Sequence, residues 1–442
     1  MPEPRMFRPA RYAVASVAGL LALAITTAGC AATTSQESPG GGSSTAPTPT
    51  AGGLPEQILA AVAKSIDGTE EQARERLARQ AEMTELHTTI APSLKVDWSA
   101  GTWLDRDTGN LVVAVTNERR AAEIRARNAE PRLVTRSAQD LRNVRTQVER
   151  LLKQHAVTWV GTSIDVTKNV VVVTSQEADL PTSVATALQR EFADAVDIRY
   201  QQGRDTALAT ASGDQITSDS GTLCSVGWWV RDARPGAARN YVMTAGHCVA
   251  NGPDVSWRHA EGEIGRPERF SFDGPTGSDW ALISVDDDAA RRLSPSVSVR
   301  GVKPIGEEGQ PDRDLVVSLS TAGLARQTAF LTGTIVCKNG RTTQVTCGRV
   351  IANDVDLNIA AGEGRSVPLR GVTRVSLLAQ PGDSGGPVFI LGDRDQVTAI
   401  GVVSAASGDR SNPLAATMTF QLLDRALTES GTRLVIDPNA PR

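Results

Sequence analysis

Neither sign of charge predominates in this chain: 46 Lys and Arg stand against 50 Asp and Glu, for a net charge of -4. The missing basic excess excludes a protein built to hold nucleic acid, which would carry a basic domain. Cysteine is sparse, with five in 442 residues, and no spacing among them resembles a zinc site. Long apolar runs are absent except for one at the N-terminus. What remains is ordinary globular material: 40% hydrophobic and 22% charged residues, which excludes global disorder. At roughly 150 residues per domain the length predicts two or three domains.

Residues 1–30 read as an export signal. Arg5, Arg8 and Arg11 form a basic start, Ala13–Ala28 is apolar, and Thr27-Ala28-Gly29-Cys30 ends the segment. Small residues before a Cys resemble a bacterial lipobox, in which the signal is cut before the Cys and its thiol carries lipid. Thr27 departs from that pattern, where Leu is usual, and an ordinary secretory signal containing a Cys is the other reading. The run is slightly short for crossing about 30 Å of hydrocarbon. An odd thiol in an exported chain needs a role, and lipidation of Cys30 leaves Cys224, Cys248, Cys337 and Cys347 for two disulfides. Of the three possible pairings, Cys224–Cys248 with Cys337–Cys347 closes the smallest loops and is the expectation. The localisation that follows is outside the cell, either held at the outer face of the membrane through Cys30 or released.

Residues 31–53 are almost wholly Ser, Thr, Pro, Gly and Ala, a linker composition that buries no core. Residues 54–204 alternate helical and strand patterns without a cysteine. Thr69 and Gln72 predict a capping box opening the helix EEQARERLARQAE. Thr102–Thr116 predicts a hairpin around Asp107-Thr108-Gly109, and Ser163–Thr174 a second one. Helices are expected near Arg119–Asn128 and Ala138–Gln154. The two hairpins share an Asp, then Thr and Asn, then a valine-rich strand, which predicts an α+β domain of two similar halves. His87 and His155 read as surface residues. Residues 205–221 are small and polar, a junction open to cleavage. In 222–442 short apolar runs such as VGWWV, YVMTAGHCV, WALISV and AIGVVSA alternate with Gly, Pro, Asn and Asp. They predict an all-β barrel or sandwich, closed by a helix over Leu422–Glu429.

Three signals in this β domain carry chemistry. They are Thr244-Ala245-Gly246-His247-Cys248, the Asp279 that opens the apolar strand WALISV, and Gly382-Asp383-Ser384-Gly385-Gly386-Pro387. A serine hydroxyl is a weak nucleophile and needs a base and a group that orients the base. Ser384, His247 and Asp279 supply those types, although Asp254, Asp273 and Asp286 also lie near. The glycines of the turn let the N–H groups of Gly382 and Ser384 converge on an oxyanion. His259 reads as a loop residue.

TAGHC and GDSGGP, in the order His, Asp, Ser, resemble the chymotrypsin-like serine peptidases, and more closely the bacterial streptogrisin and alpha-lytic branch. CSVGWWV is similar to the start of the mature enzymes of that branch. VCKNGRTTQVTCG is similar to their internal disulfide loop, and QLLDRALTESGTRL to their terminal helix. Residues 100–175 resemble the branch's prosegment, with WLDRDTGNLVVAVT as the telling stretch. The resemblance implies a double β-barrel peptidase domain preceded by an α+β prosegment that assists folding and inhibits until cut near residues 205–215. It implies catalysis by His247, Asp279 and Ser384, an oxyanion hole at Gly382 and Ser384, and no cofactor and no metal. The partners it implies are a peptide or protein substrate and the chain's own prosegment.

The sequence also departs from that family. Leu378 stands where many members have a further cysteine, and no basic residue precedes an Ile-Val-Gly-Gly start. Asp383 therefore needs a basic partner of its own, for which Lys338 and Arg341 are candidates. The resemblance sets the walls of the primary pocket at Leu378–Pro381 and at Ser404, Ala405 and Ala406, whose backbone would pair with substrate as an added strand. Neither wall carries an acid, and Ala406 stands where a glycine commonly opens the pocket, so a small or medium apolar side chain is expected there. Two rival expectations are a non-catalytic peptide-binding surface protein and an esterase with the same triad.

Overall fold

The computed structural model describes residues 54, 56–204, 206–207, 214–234, 236, 239–259, 262–285, 296–300, 316–326, 330–362, 364–392, 396–407 and 416–436. The export signal with Cys30, the linker and most of the 205–215 cleavage region lie outside them. Helices α1 (Glu56–Ile66) and α2 (Glu70–Ile90) come first. Thr69 caps α2 reciprocally: Gln72 N–H donates to Thr69 Oγ1 at 3.2 Å and Thr69 N–H to Gln72 Oε1 at 2.7 Å.

Two like units follow. In the first, strands Ser99–Leu104 and Leu111–Val115 form an antiparallel hairpin, and helix α3 (Glu118–Arg125) returns the chain to Glu130–Leu133, parallel to the second strand. In the second, Val160–Asp165 and Val170–Ser175 form the hairpin, and helix α5 (Thr182–Phe192) leads to Val196–Tyr200, again parallel. Helix α4 (Ala138–Gln154) joins the two. The shared Asp is the turn-former in both. Asp105 Oδ1 accepts from the N–H groups of Asp107 and Thr108, and Asp165 Oδ1 from those of Thr167 and Lys168. Each unit buries its valine-rich strand against its helices: Val113 and Val115 with Ala121 and Ile124, then Val171 and Val173 with Leu188 and Phe192.

One histidine departs from its expected place. His87 lies on the inner face of α2, 8% exposed, within 3.2 Å of Thr102 Oγ1. Its side chain fills space between α2 and the first hairpin, and burial pushes its imidazole below the ordinary value. His155 is exposed, and His259 ends a short strand, Trp257–His259, rather than lying in a loop.

From Gln215 onward the chain is β-rich. One module combines a five-stranded sheet (267–271, 280–285, 240–244, 228–232, 432–434) with a four-stranded one (262–265, 257–259, 215–218, 223–225). Their inner faces enclose Ile216, Val242, Trp257, Ile264 and Ile283. The second module uses strands 335–338, 346–360, 366–376, 387–391, 396–407 and 417–422, around Val336, Val350, Val388, Ile400 and Phe420. Short helix α6 (Gly246–Val249) lies in the first module, and α7 (Leu423–Ser430) follows the second. The architecture is thus a double β-barrel preceded by an α+β domain.

The two parts pack as one unit. Helix α1 inserts Ile58, Val62 and Ala63 into a cluster holding Ile335, Cys337 and Cys347. The Gln80 side chain donates to Ile335 O at 3.2 Å and accepts from Ile335 N–H at 2.6 Å, standing in for a neighbouring strand. Asp356 in strand 346–360 pairs with Thr162, which continues the sheet of the second α+β unit into the hairpin of strands 346–360 and 366–376.

Candidate active site

His247 and Asp279 are brought together by strand register. Strand 240–244 runs antiparallel to 280–285, with Thr244 opposite Ala281, so the residues at their adjoining ends meet. Gly246 is required at the start of α6, because a Cβ there would stand 2.1 Å from Ser271 O. The Asp279 carboxylate, wholly buried, accepts from His247 N–H at 2.9 Å and lies 2.8 Å from His247 Nδ1. Ser404 Oγ donates to the same carboxylate, and Asp279 N–H donates to Gln421 Oε1 at 3.2 Å. Phe272 covers the imidazole, its ring centroid 5.8 Å away. Cys224 is bonded to Cys248, the neighbour of His247, and Cys337 to Cys347.

The second module supplies Ser384 from the turn between strands 366–376 and 387–391. Ser225 fastens that turn to the first module: its N–H donates to Ser384 O at 2.7 Å and its hydroxyl to Gly382 O at 3.1 Å. Gly385 adopts φ +79°, and a Cβ there would meet Thr244 Oγ1 at 2.0 Å. His247 Nε2 and Ser384 Oγ are 2.8 Å apart. The arrangement is a continuous chain of hydrogen bonds from a buried carboxylate through an imidazole to a hydroxyl. Such a chain lets the hydroxyl shed its proton as it attacks.

The hairpin tip between Cys337 and Cys347 holds the nucleophile turn from behind. Asp383 accepts from Thr342 N–H at 3.1 Å, Thr343 N–H at 3.2 Å, Thr343 Oγ1 at 2.6 Å and Gln380 N–H at 2.9 Å. Lys338 Nζ stands 3.2 Å from Asp383 Oδ2 with both side chains fully buried, while Arg341 is exposed. Burial pulls the Lys338 ammonium below its ordinary value, with Asp383 opposing that shift. Thr342 Oγ1 also donates to Pro381 O at 2.8 Å. In a planar trans peptide the N–H lies opposite the carbonyl, so this bond turns Gly382 N–H away from the hairpin. Sequence reasoning missed Thr342, about forty positions from the turn it steadies.

The expected pocket residues separate. Ala406 pairs with Met418 across the strands, and both share a buried cluster with Ala379, Val403 and Phe420. Ala405 faces the other way, into a cluster with Val355, Leu357, Val372 and Phe272. Leu378 is not among either group. Its carbonyl accepts from Thr346 Oγ1 at 2.8 Å, and it lines a cavity of about 1190 Å³ with Trp103, Val345 and Arg349. Among the described residues one group has His and Cys donors close enough for a metal, Cys224, His247 and Cys248. Both sulfurs are in a disulfide, so no thiolate is there to ligate.

Comparison with known proteins agrees with this geometry. An alpha-lytic protease pro N-terminal family model matches residues 71–134, and a trypsin family model residues 236–425. Streptogrisin-D of Streptomyces griseus is 28% identical over 354 residues, 79% of this chain and 79% of its own. Serine protease 1 of Streptomyces fradiae is 31% identical over 318 residues, 71% of this chain and 76% of its own. Streptogrisin-C of Streptomyces griseus is 27% identical over 427 residues, 95% of this chain and 84% of its own. With a prosegment of one kind and a peptidase of the other in a single chain, the protein belongs to the trypsin family of serine proteases, in the streptogrisin group that carries an alpha-lytic-type prosegment.

Proposed function

We propose that this serine protease is an exported endopeptidase, made as a precursor, in which Ser384, His247 and Asp279 form the catalytic triad. The observation that carries the reading is the relay itself, 2.8 Å from Asp279 to His247 and 2.8 Å from His247 to Ser384. Ser384 Oγ attacks the substrate carbonyl while His247 Nε2 takes its proton. The carbonyl oxygen, now negative, is received by the N–H groups of Gly382 and Ser384. His247 gives the proton to the departing amine, leaving an ester on Ser384. Water, deprotonated by His247, then attacks that ester, and the acid leaves as His247 returns the proton to Ser384 Oγ. Asp279 holds the imidazole in the required tautomer and offsets its positive charge.

Substrate adds as a strand beside Ser404–Ala406. Residues Thr206 and Ala207 already pair antiparallel with Ala406 and Ala405, which supports an inhibitory prosegment whose end occupies the substrate groove. Ser404 is the next residue of that strand toward the nucleophile. Strand 396–407 abuts the nucleophile there, since Gly385 N–H donates to Val403 O at 2.8 Å. Self-cleavage is therefore assigned near residues 205–215, inside the 205–221 junction, with 54–204 as prosegment and 222–442 as peptidase. Ala379, Val403, Ala406, Met418 and Phe420, all apolar and buried, support a small or medium apolar preference at the cleaved position. Export is by residues 1–30, with lipid on Cys30 holding the precursor to the membrane through the 31–53 tether.

A fluorophosphonate that reacts with activated serines tests this, applied to the full-length chain and to Ser384→Ala and followed by intact mass. Labelling of a fragment that begins within about residues 205–215, absent in the variant, is expected. A processed, folded peptidase that takes no label would overturn the reading.

A further inference from the structure

Arg374 is a buried guanidinium that the triad, the oxyanion site and the apolar pocket leave without a role. It lies in strand 366–376, 9% exposed, opposite Thr419 in register. Thr419 in turn pairs with Ala405, and Ser407 with Thr417. Residues directly opposite each other in an antiparallel ladder share a face. Arg374, Ala405, Ser407 and Thr417 therefore lie on one face, opposite to that of Ala406 and Met418. This is the face on which Phe272 and the apolar hairpin residues Val355 and Leu357 gather, beside the groove where Thr206 and Ala207 now lie.

The polar end of that floor is built. Arg374 Nη2 donates to Ser407 Oγ at 2.9 Å and to Thr417 Oγ1 at 3.1 Å. Ser407 Oγ and Thr417 Oγ1 are themselves 2.9 Å apart, which fixes the guanidinium from the peptidase side. From the prosegment side Gln201 Oε1 accepts from the same nitrogen at 2.8 Å. Gln201 is held by its own N–H on Ser175 O at 2.9 Å. It is a prosegment residue, so this acceptor leaves when the prosegment does. Ser407 and Thr417 stay with the peptidase part and still hold the guanidinium at this end of the groove floor.

We propose that Arg374 is a specificity-determining residue of the matured enzyme. It selects an acidic side chain at the fourth residue N-terminal to the cleaved bond. The count follows from register: the residue opposite Ser404 precedes the cleaved bond, those opposite Ala405 and Ala406 are the second and third, and the one level with Ser407 is the fourth. A carboxylate accepts two parallel N–H bonds from an arginine, where the amide oxygen of Gln201 offers a weaker neutral acceptor. The sequence itself has an acid, Asp205, immediately before Thr206. This inference rests on the peptidase reading, and the experiment separates the two.

The full-length chain is expressed and left to mature until the fluorophosphonate labels Ser384. The labelled form's unlabelled counterpart is then assayed on quenched peptides that differ only at the fourth position, bearing Glu, Gln, Leu or Lys. The kcat/KM for Glu should exceed that for Lys by about tenfold or more, the range of a charge-assisted bond. The ratio should shrink at high salt, fall toward one in Arg374→Gln, and survive in part in Arg374→Lys. A flat profile in the parent enzyme overturns the inference while leaving the peptidase reading standing. An acid preference that persists in Arg374→Gln overturns it too, as does a variant that lowers kcat/KM for all four peptides alike. Absence of any labelling overturns both.

Discussion

Arg145 of helix α4 and Asp356 of the peptidase hairpin meet at 2.9 Å across the boundary between prosegment and peptidase. The same guanidinium donates to Asp354 O at 2.7 Å and lies 3.0 Å from Asp354 Oδ2 and 2.8 Å from Glu149. Burial works against the charge, but Asp356, Asp354 and Glu149 outweigh it and hold Arg145 above its ordinary value. One arginine thus gathers the strand pair that makes prosegment and barrel a single sheet.

Arg145→Met should therefore loosen the precursor without unfolding the peptidase core. Breaking a wholly buried pair costs about 3–5 kcal/mol, but Asp354 is 71% and Asp356 30% exposed, so water relieves much of that. About 1 kcal/mol remains. In the Ser384→Ala chain, hydrogen exchange should quicken several-fold over 160–165 and 346–360 and stay unchanged over 240–244. Equal protection in both chains would show that the clamp contributes nothing.

Thr342 holds the Pro381–Gly382 peptide through Pro381 O, so if Gly382 N–H is an oxyanion donor as proposed, Thr342→Val should reduce kcat more than it raises KM. Losing an oxyanion donor outright costs about 10²–10³ in rate; losing only the bond that orients it should cost about tenfold. Thr342→Ser keeps the hydroxyl and should restore the rate. A purely structural hydroxyl would instead lower the thermal midpoint and leave kcat of the surviving enzyme as it was.

How far the sequence discloses this depends on the range of each signal. His247, Asp279 and Ser384 each stand inside a short local motif, and the strands around them alternate as barrel strands do. The paired hairpins of the prosegment are legible for the same reason, since each begins with an Asp that closes its own turn. His87 misleads because helix α2 has polar residues on every side, so no apolar stripe marks its inner face. Lys338 is named as a partner of Asp383 only through the family resemblance, whereas Thr342 and Arg374 act across 39 and 43 positions on the Pro381 peptide and on Thr417, at distances set by hairpin register alone. No local pattern encodes such a register.

Burial gives His87 a pH signature. Its folded imidazole titrates below the ordinary value, while in the unfolded chain it titrates near 6.5. As pH falls through about 6.5 the unfolded state takes up protons that the folded state resists, so stability drops toward acid. The thermal midpoint of the Ser384→Ala chain should fall between about pH 7.5 and 5.5. The added variant His87→Gln, which retains a bond to Thr102 but does not titrate, should fall less. Parallel curves for the two chains would remove His87 as the source.

If the proposed apolar pocket binds the residue at the cleaved position, Met418 sets how much side chain fits there. It stands opposite Ala406, wholly buried, with Phe420 two residues on along the same face. Together the thioether and the ring fill the space behind strand 396–407. Met418→Ala removes most of one wall. The empty volume costs about 2–5 kcal/mol of stability, and a large substrate side chain can recover part of it by filling the gap. The ratio of kcat/KM for Phe over Ala at the cleaved position should then rise by about tenfold or more, since each methylene is worth roughly 1–3 kcal/mol in an apolar pocket. Ala406→Gly should act in the same direction, because it widens the entrance from the opposite strand. If both variants keep the parent's profile, some other wall sets the limit, and the apolar cluster around Met418 is core and nothing more.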